Sequence, residues 1–152
     1  MKKFNLTDLL IFIITAELAG AVSALIAGNF SVLYSQIIKP PLSPPALVFP
    51  VTWGILYALM GISAYMIYKT GKNSSMKIYI FQLAVNFSWS IIFFRFRLFT
   101  FAAIVSIILF LLVGIMIFSF SKVRKTSALL NIPYLLWSAF AAYLSTGVCI
   151  LN

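Results

Sequence analysis

Five apolar runs separated by short polar or basic stretches set the pattern of this chain, at approximately 9–28, 46–68, 78–94, 98–120 and 127–151. Each is long enough to cross roughly 30 Å of hydrocarbon at about 1.5 Å per helical residue. Glu17 is the one charged residue inside any of them. A strand-built barrel needs alternating segments of about ten residues, and that alternation is missing from the sequence. The pattern therefore predicts an all-α integral membrane protein, a single bundle of five transmembrane helices over residues 1–152, with a loop at 29–45 between the first two. Nothing marks a soluble domain, a low-complexity tail or an internal repeat. The first run follows Lys2 and Lys3 as a signal peptide would, but no small-residue cleavage site ends a short apolar core, so it is expected to stay as the first helix.

Composition agrees: 63% of the residues are hydrophobic and 9% charged, and mean hydropathy is +1.10, far above that of an ordinary water-soluble domain. The net charge of +9 would suggest nucleic acid in a soluble protein. Here the basic residues fall between the apolar runs, where they hold loops at an anionic lipid surface, so the expected partner is the bilayer and no nucleic acid is expected. Lys2, Lys3, Lys69, Lys72, Lys77, Lys122, Arg124 and Lys125 lie on one side, and Lys39, Arg95 and Arg97 on the other. Because translocating Lys and Arg is disfavoured, this asymmetry predicts a cytoplasmic N-terminus and an outer C-terminus. The single cysteine, Cys149, has no partner for an intramolecular disulfide and reads as a small packing residue.

Several residues depart from a plain lipid-facing helix. The first loop ends in Lys39-Pro40-Pro41-Leu42-Ser43-Pro44-Pro45, whose four prolines make it stiff, as a connector or as a lid over the mouth of the bundle. On the second helix Trp53, Tyr57, Met60 and Ala64 share a face, and on the third so do Gln82, Asn86, Trp89 and Phe93. Trp53 is either part of an interfacial aromatic belt or, one to two turns inside the span, part of the interior. Two amides in an apolar helix should point inward, to bond a neighbouring helix or a ligand. On the fifth helix Trp137 stands one turn before Ala141 and two before Ser145, a step filled by another helix or forming a cavity wall. Gly20, Ala24 and Gly28 form a small-residue stripe suited to close packing within the bundle or between protomers. Glu17 is a functional candidate by its depth alone: either a proton-coupling group, or a neutral acid in contact with Asn86, Gln82 or a hydroxyl.

Other chemistries are nearly excluded. The chain has no histidine, which removes the usual haem ligand, zinc ligand and general base, and no metal site or bound cofactor is expected. There is no phosphate-binding glycine loop and no pair of carboxylates within reach of each other. What it has in surplus is aromatic surface, 15 Phe, 7 Tyr and 3 Trp, which suits a flat apolar ligand as well as ordinary packing.

At these residues the chain resembles the TspO/MBR family, the tryptophan-rich sensory proteins also called the peripheral-type benzodiazepine receptor or translocator protein family. The likeness rests on Lys39-Pro40, Pro44-Pro45, Val48-Phe49-Pro50, Trp53 and Leu56-Tyr57. It continues through Gln82 to Ser90 with Phe93-Phe94, and through Pro133 to Trp137 with Phe140-Ala141 and Tyr143-Leu144. The sequence departs from the family where loop tryptophans are common, at Leu33, Leu42 and Leu47, and at Ser145, where an asparagine is usual. The resemblance implies an intramembrane pocket at the outer side for porphyrins, other tetrapyrroles or related flat hydrophobic molecules, in porphyrin handling or stress signalling. It implies lining by Ala24, Trp53, Tyr57, Asn86, Trp89, Phe93, Trp137 and Ala141, capping by Tyr34, Pro44 and Pro45, and assembly as a homodimer. Trp53 and Trp137 match the tryptophans credited with porphyrin breakdown in bacterial members, so light- or oxygen-dependent protoporphyrin IX degradation is one alternative function. A small proton-coupled exporter using Glu17 is another.

Overall fold

The computed structural model describes residues 3–152; Met1 and Lys2, one of the basic residues counted above, lie outside the described residues. Five helical spans carry the fold, and no strand occurs among the described residues. The first, α1 (Leu6–Ala27), starts where the Asn5 side chain accepts a hydrogen bond from the Thr7 amide, with Asp8 in its first turn, so capping begins it three residues before the apolar run does. It stops at Gly28, whose φ of 89° suits glycine. The loop that follows is not a simple connector: Phe30–Gln36 forms a short helix, α2, with Asn29 as its cap. Four prolines downstream stiffen only the second half, which leaves the first half free to coil.

The second span is α3 (Val48–Tyr68). The third, α4 (Asn73–Ser90), begins five residues ahead of the expected start at 78 and runs on as a π-helical turn, Ile91–Arg95. In that turn the Phe96 amide bonds the Ile91 carbonyl at 3.1 Å, and Arg97, with φ 54°, turns the chain back. The fourth span is α5 (Phe99–Ser121). The fifth, expected as one helix over 127–151, is broken into α6 (Lys125–Leu129) and α7 (Ile132–Leu151). Pro133 is the cause: it has no amide to offer the Leu129 carbonyl, and its ring would crowd that carbonyl, so it can only open a helix.

α1 packs between α3 and α4, α5 packs between α4 and α7, and α3 closes the bundle against α6. The backbones of α1 and α3 meet at Gly61, where a Cβ would lie 2.6 Å from the Ile13 Cα. Met60, Ala64, Ile67, Val113, Met116, Phe120 and Tyr134 fill the interior. Leu10, Ile14, Leu18 and Leu25 on α1 and Ile104, Ile108, Leu111 and Ile115 on α5 are turned outward, which is where lipid would be met.

The two ends of the bundle are tied differently. At the N-terminal end the Asn5 amide bonds the Tyr65 hydroxyl at 2.8 Å, and Ser63, Ser127 and Asn131 bind α3 to α6, the Asn131 amide reaching the Ser63 hydroxyl at 2.6 Å. At the other end the proline-rich loop is fastened to α7. Asn152 exchanges hydrogen bonds of 3.0 and 2.8 Å with the backbone of Ile38, Tyr143 donates to the Pro41 carbonyl at 2.8 Å, and the Pro40 ring lies over Gly147, where a Cβ would strike it. Beneath the loop, Leu33 and Ile37 pack with Phe93, Ala102 and Val148 in a second apolar cluster.

Candidate ligand-binding site

A buried chain of hydrogen bonds crosses the middle of the bundle. The Tyr57 hydroxyl of α3 donates to Asn86 Oδ1 of α4 at 3.0 Å, Asn86 Nδ2 donates to the Tyr134 hydroxyl of α7 at 2.7 Å, and that hydroxyl donates to Gln82 Oε1 at 2.8 Å. The inward-pointing amides therefore join three helices, which is the helix-bonding use of such residues. Glu17 is a partner to neither amide.

Above this polar floor, toward the proline-rich loop, aromatic rings line two adjoining spaces. A central cavity of about 30 Å³, room for a single water-sized group, lies between Tyr34, Phe49, Trp53, Trp89, Phe93, Trp137, Ala141 and Ser145, with Ile37, Lys39 and Ser43 closing it from the loop. A lateral cleft of about 310 Å³ lies between α1, α3 and α4, with Glu17, Gly20, Ala24, Tyr57, Asn86 and Ser90 among its walls. Ala21, Ala24, Gly28 and Pro50 at its rim are exposed, so it opens sideways toward the lipid-facing surface. Phe49, Trp53, Trp89 and Phe94 border both spaces and so form the partition between them.

The rings hold one another by edges and offset faces. Trp53 stacks on Tyr57 at 5.5 Å and Trp89 on Phe93 at 5.3 Å, while Phe49 meets Tyr34 at 5.2 Å and Trp137 at 6.0 Å edge-on. Three residues around the central cavity carry a polar atom buried without a partner: the indole nitrogens of Trp89 and Trp137 and the hydroxyl of Ser145. The cavity wall itself is almost wholly apolar, so these groups do not open into it in the closed arrangement.

The loop holds its shape through Tyr34, whose hydroxyl donates to the Pro44 carbonyl at 2.5 Å, and through Lys39, whose ammonium donates to the Tyr34 carbonyl at 2.8 Å and sits over the Tyr34 ring. Burial pushes the Tyr34 phenol above its ordinary range, and a hydrogen bond with Ser43 partly offsets this. The group therefore stays a neutral donor at any physiological pH.

Of the residues expected at the site, Tyr34, Trp53, Trp89, Phe93, Trp137 and Ala141 meet around the central cavity, and Ala24, Tyr57 and Asn86 border the cleft together with Trp53 and Trp89. Pro44 and Pro45 line neither space. Leu42 and Leu47 are exposed and Leu33 is core, so the leucines of the loop do not face the cavity. Phe49, Phe94 and Tyr134 belong to the motifs that carry the resemblance but are not among the lining residues it implies. Phe49 lies one turn before Trp53 and was legible from that spacing, whereas Phe94 reaches the partition through the π turn, which no apolar pattern announces. Of the small-residue stripe on α1, Gly20 packs within the bundle, since any side chain there would run into the Tyr57 ring, whereas Ala24 and Gly28 are exposed.

A model of the TspO/MBR family matches residues 11–151. The chain is 31% identical over 124 residues to tryptophan-rich protein TspO of Chlorobaculum tepidum, covering 78% of each chain. It is 30% identical over 153 residues to protein CrtK of Rhodobacter capsulatus, covering 97% of this chain and 94% of that one. It is also 32% identical over 118 residues to the translocator protein of Bos taurus, covering 74% and 70%.

Proposed function

This chain belongs to the TspO/MBR family as a multi-pass integral membrane protein with a receptor-like role, and on that premise we propose that it binds tetrapyrroles and related flat hydrophobic ligands between its helices. The observation that carries the proposal is the shared aromatic partition with unpaired donors behind it. A flat ring system leaving the bilayer through the cleft meets the rings of Trp53 and Trp89, and once the partition opens an acceptor at its edge pairs with the indole N–H groups of Trp89 and Trp137, which have no partner in the closed arrangement. A full macrocycle is larger than either space alone, so it requires Phe49 and Phe94 to swing aside and merge them. Pocket volumes for ligands of this kind are about 300–1,000 Å³.

Quenching of tryptophan fluorescence by protoporphyrin IX in detergent tests this directly. The wild type is expected to show saturable quenching in the dark. Trp53→Phe and Trp137→Phe are each expected to weaken it by roughly three- to tenfold, the loss of one stacking or hydrogen-bonding partner. The double substitution leaves Trp89 as the reporter. Quenching that never saturates in the wild type would sink the proposal. Porphyrin breakdown is the second reading, supported by the unpaired Trp137 indole beside the central cavity. Bleaching under light that requires Trp137 would favour it over binding alone.

The proposal includes a cytoplasmic N-terminus, supported by the basic residues at that end of the bundle, and a second copy of the chain as partner. A reporter enzyme fused after Asn152 and active only outside the cytoplasm is expected to be active; an inactive fusion beside an active one after Gly71 would reverse the orientation.

A further inference from the structure

The lateral cleft contains one group that the aromatic chemistry does not use. Glu17 lies about 16 Å along a helix about 33 Å long, close to mid-span, on the same face as Gly20, Ala21 and Ala24. The other polar groups of the cleft have partners: Tyr57 bonds Asn86, Asn86 bonds Tyr134, and Ser23 bonds the Phe87 carbonyl and Ser90. Glu17 has neither a hydrogen bond nor an ion pair among the described residues, and no Lys or Arg lines the cleft. A lone acid at this depth is expensive to keep unless something pairs with it.

We propose that the cleft is a binding site for lipophilic monocations, one- or two-ring apolar molecules bearing a protonated amine, which enter sideways from the bilayer and place the ammonium on the Glu17 carboxylate. The space fits the class: about 310 Å³ holds a bicyclic amine without any rearrangement of the aromatic partition. The walls fit it too. Trp53, Trp89 and Phe94 give the rings an apolar and cation-tolerant surface, while the small residues Gly20, Ala21 and Ala24 leave the path to Glu17 clear. Low polarity around the cleft strengthens an ammonium–carboxylate hydrogen bond relative to the same pair in water. The site shares its aromatic wall with the tetrapyrrole reading but not its chemistry. A porphyrin presents carboxylates, which Glu17 repels, so the two readings stand or fall separately.

Calorimetric titration in a nonionic detergent compares dimethyl(naphthylmethyl)amine with its uncharged carbon isostere, isobutylnaphthalene, after subtraction of partitioning into protein-free micelles. The wild type is expected to bind the amine roughly tenfold or more tightly than the isostere, the worth of a hydrogen bond between charged groups. Glu17→Gln is expected to bring the ratio to about one while the isostere still binds, and Glu17→Asp to keep part of the preference. Ala24→Phe, which fills the rim, should weaken both ligands. Equal affinities in the wild type overturn the proposal, as does a preference that survives Glu17→Gln or binding indifferent to Ala24→Phe. If Glu17→Gln does not fold, the wild-type ratio and the Ala24→Phe result decide alone. Saturable protoporphyrin quenching by a wild type that shows no amine preference would remove this inference and leave the tetrapyrrole reading in place.

Discussion

Gly61→Ala is expected to lower the stability of the protein by about 2–3 kcal/mol, through overpacking at a helix crossing. A Cβ at this position would lie 2.6 Å from the Ile13 Cα and 2.9 Å from the Ile13 nitrogen and the Phe12 carbonyl oxygen. All three are backbone atoms, so no rotamer change relieves the clash and α1 must move bodily away from α3. Two neighbours in type serve as controls. An added Cβ at Gly54 meets nothing within 4 Å, and at Gly114 it touches only the Leu135 side chain at 4.0 Å. Alanine at either place removes the backbone freedom of a helical glycine and should be neutral or stabilising by up to about 1 kcal/mol. Apparent unfolding midpoints in detergent, read by circular dichroism, check the series. A Gly61→Ala protein that melts with the wild type would mean that α1 and α3 are not in backbone contact. The cleft begins one turn beyond Ile13, so the same substitution should also weaken ligand quenching.

Removing the amide at the centre of the bundle is the second large effect. Asn86 is buried and both accepts from Tyr57 and donates to Tyr134. Asn86→Leu keeps the branched shape with somewhat larger groups, loses both bonds and strands the Tyr57 hydroxyl, for an expected cost of about 1.5–3 kcal/mol. Tyr134→Phe breaks the same chain from α7, losing the bond from Asn86 and the bond to Gln82. Since both variants cut one network, the double substitution should cost clearly less than the sum of the singles. Strict additivity in denaturant titrations would show that the tyrosine and the asparagine do not act together. Because this chain forms the floor of the cleft, its loss is expected to loosen ligand binding as well as the fold.

Much of this architecture was legible in the residues themselves. Five apolar runs of spanning length can satisfy their backbone in hydrocarbon only as helices, so the spans follow from length and hydropathy alone. The same periodicity put Trp53 with Tyr57 and Trp89 with Phe93, both of which stack in the structure. The break at Asn131 was not read, since the apolar run continues straight through it, although Pro133 is tolerated only in the first turn of a regular helix. Short elements were harder: α2 is seven residues long and amphipathic only against the partner it covers, the second core cluster under the loop.

The sequence by itself determined the spans, the asymmetry of basic residues and which residue types line the interior, since these follow from solvent and helical period. Only the tertiary structure decided what each of those residues is for. Asn86 and Gln82 read as ligand contacts or helix bonds until Tyr57 and Tyr134 stood within reach of them, and the choice belonged to residues as many as 52 positions away. Gly20 read equally as a contact within the bundle or between protomers until the Tyr57 ring lay over it. Glu17 read as a proton-coupling group or as a neutral acid in contact with those amides or a hydroxyl, until the amides were occupied by tyrosines and it was left facing the cleft. Periodicity fixes which face of a helix a residue is on. It does not fix which helix comes to meet that face, at what distance, or which polar groups the meeting leaves unpaired.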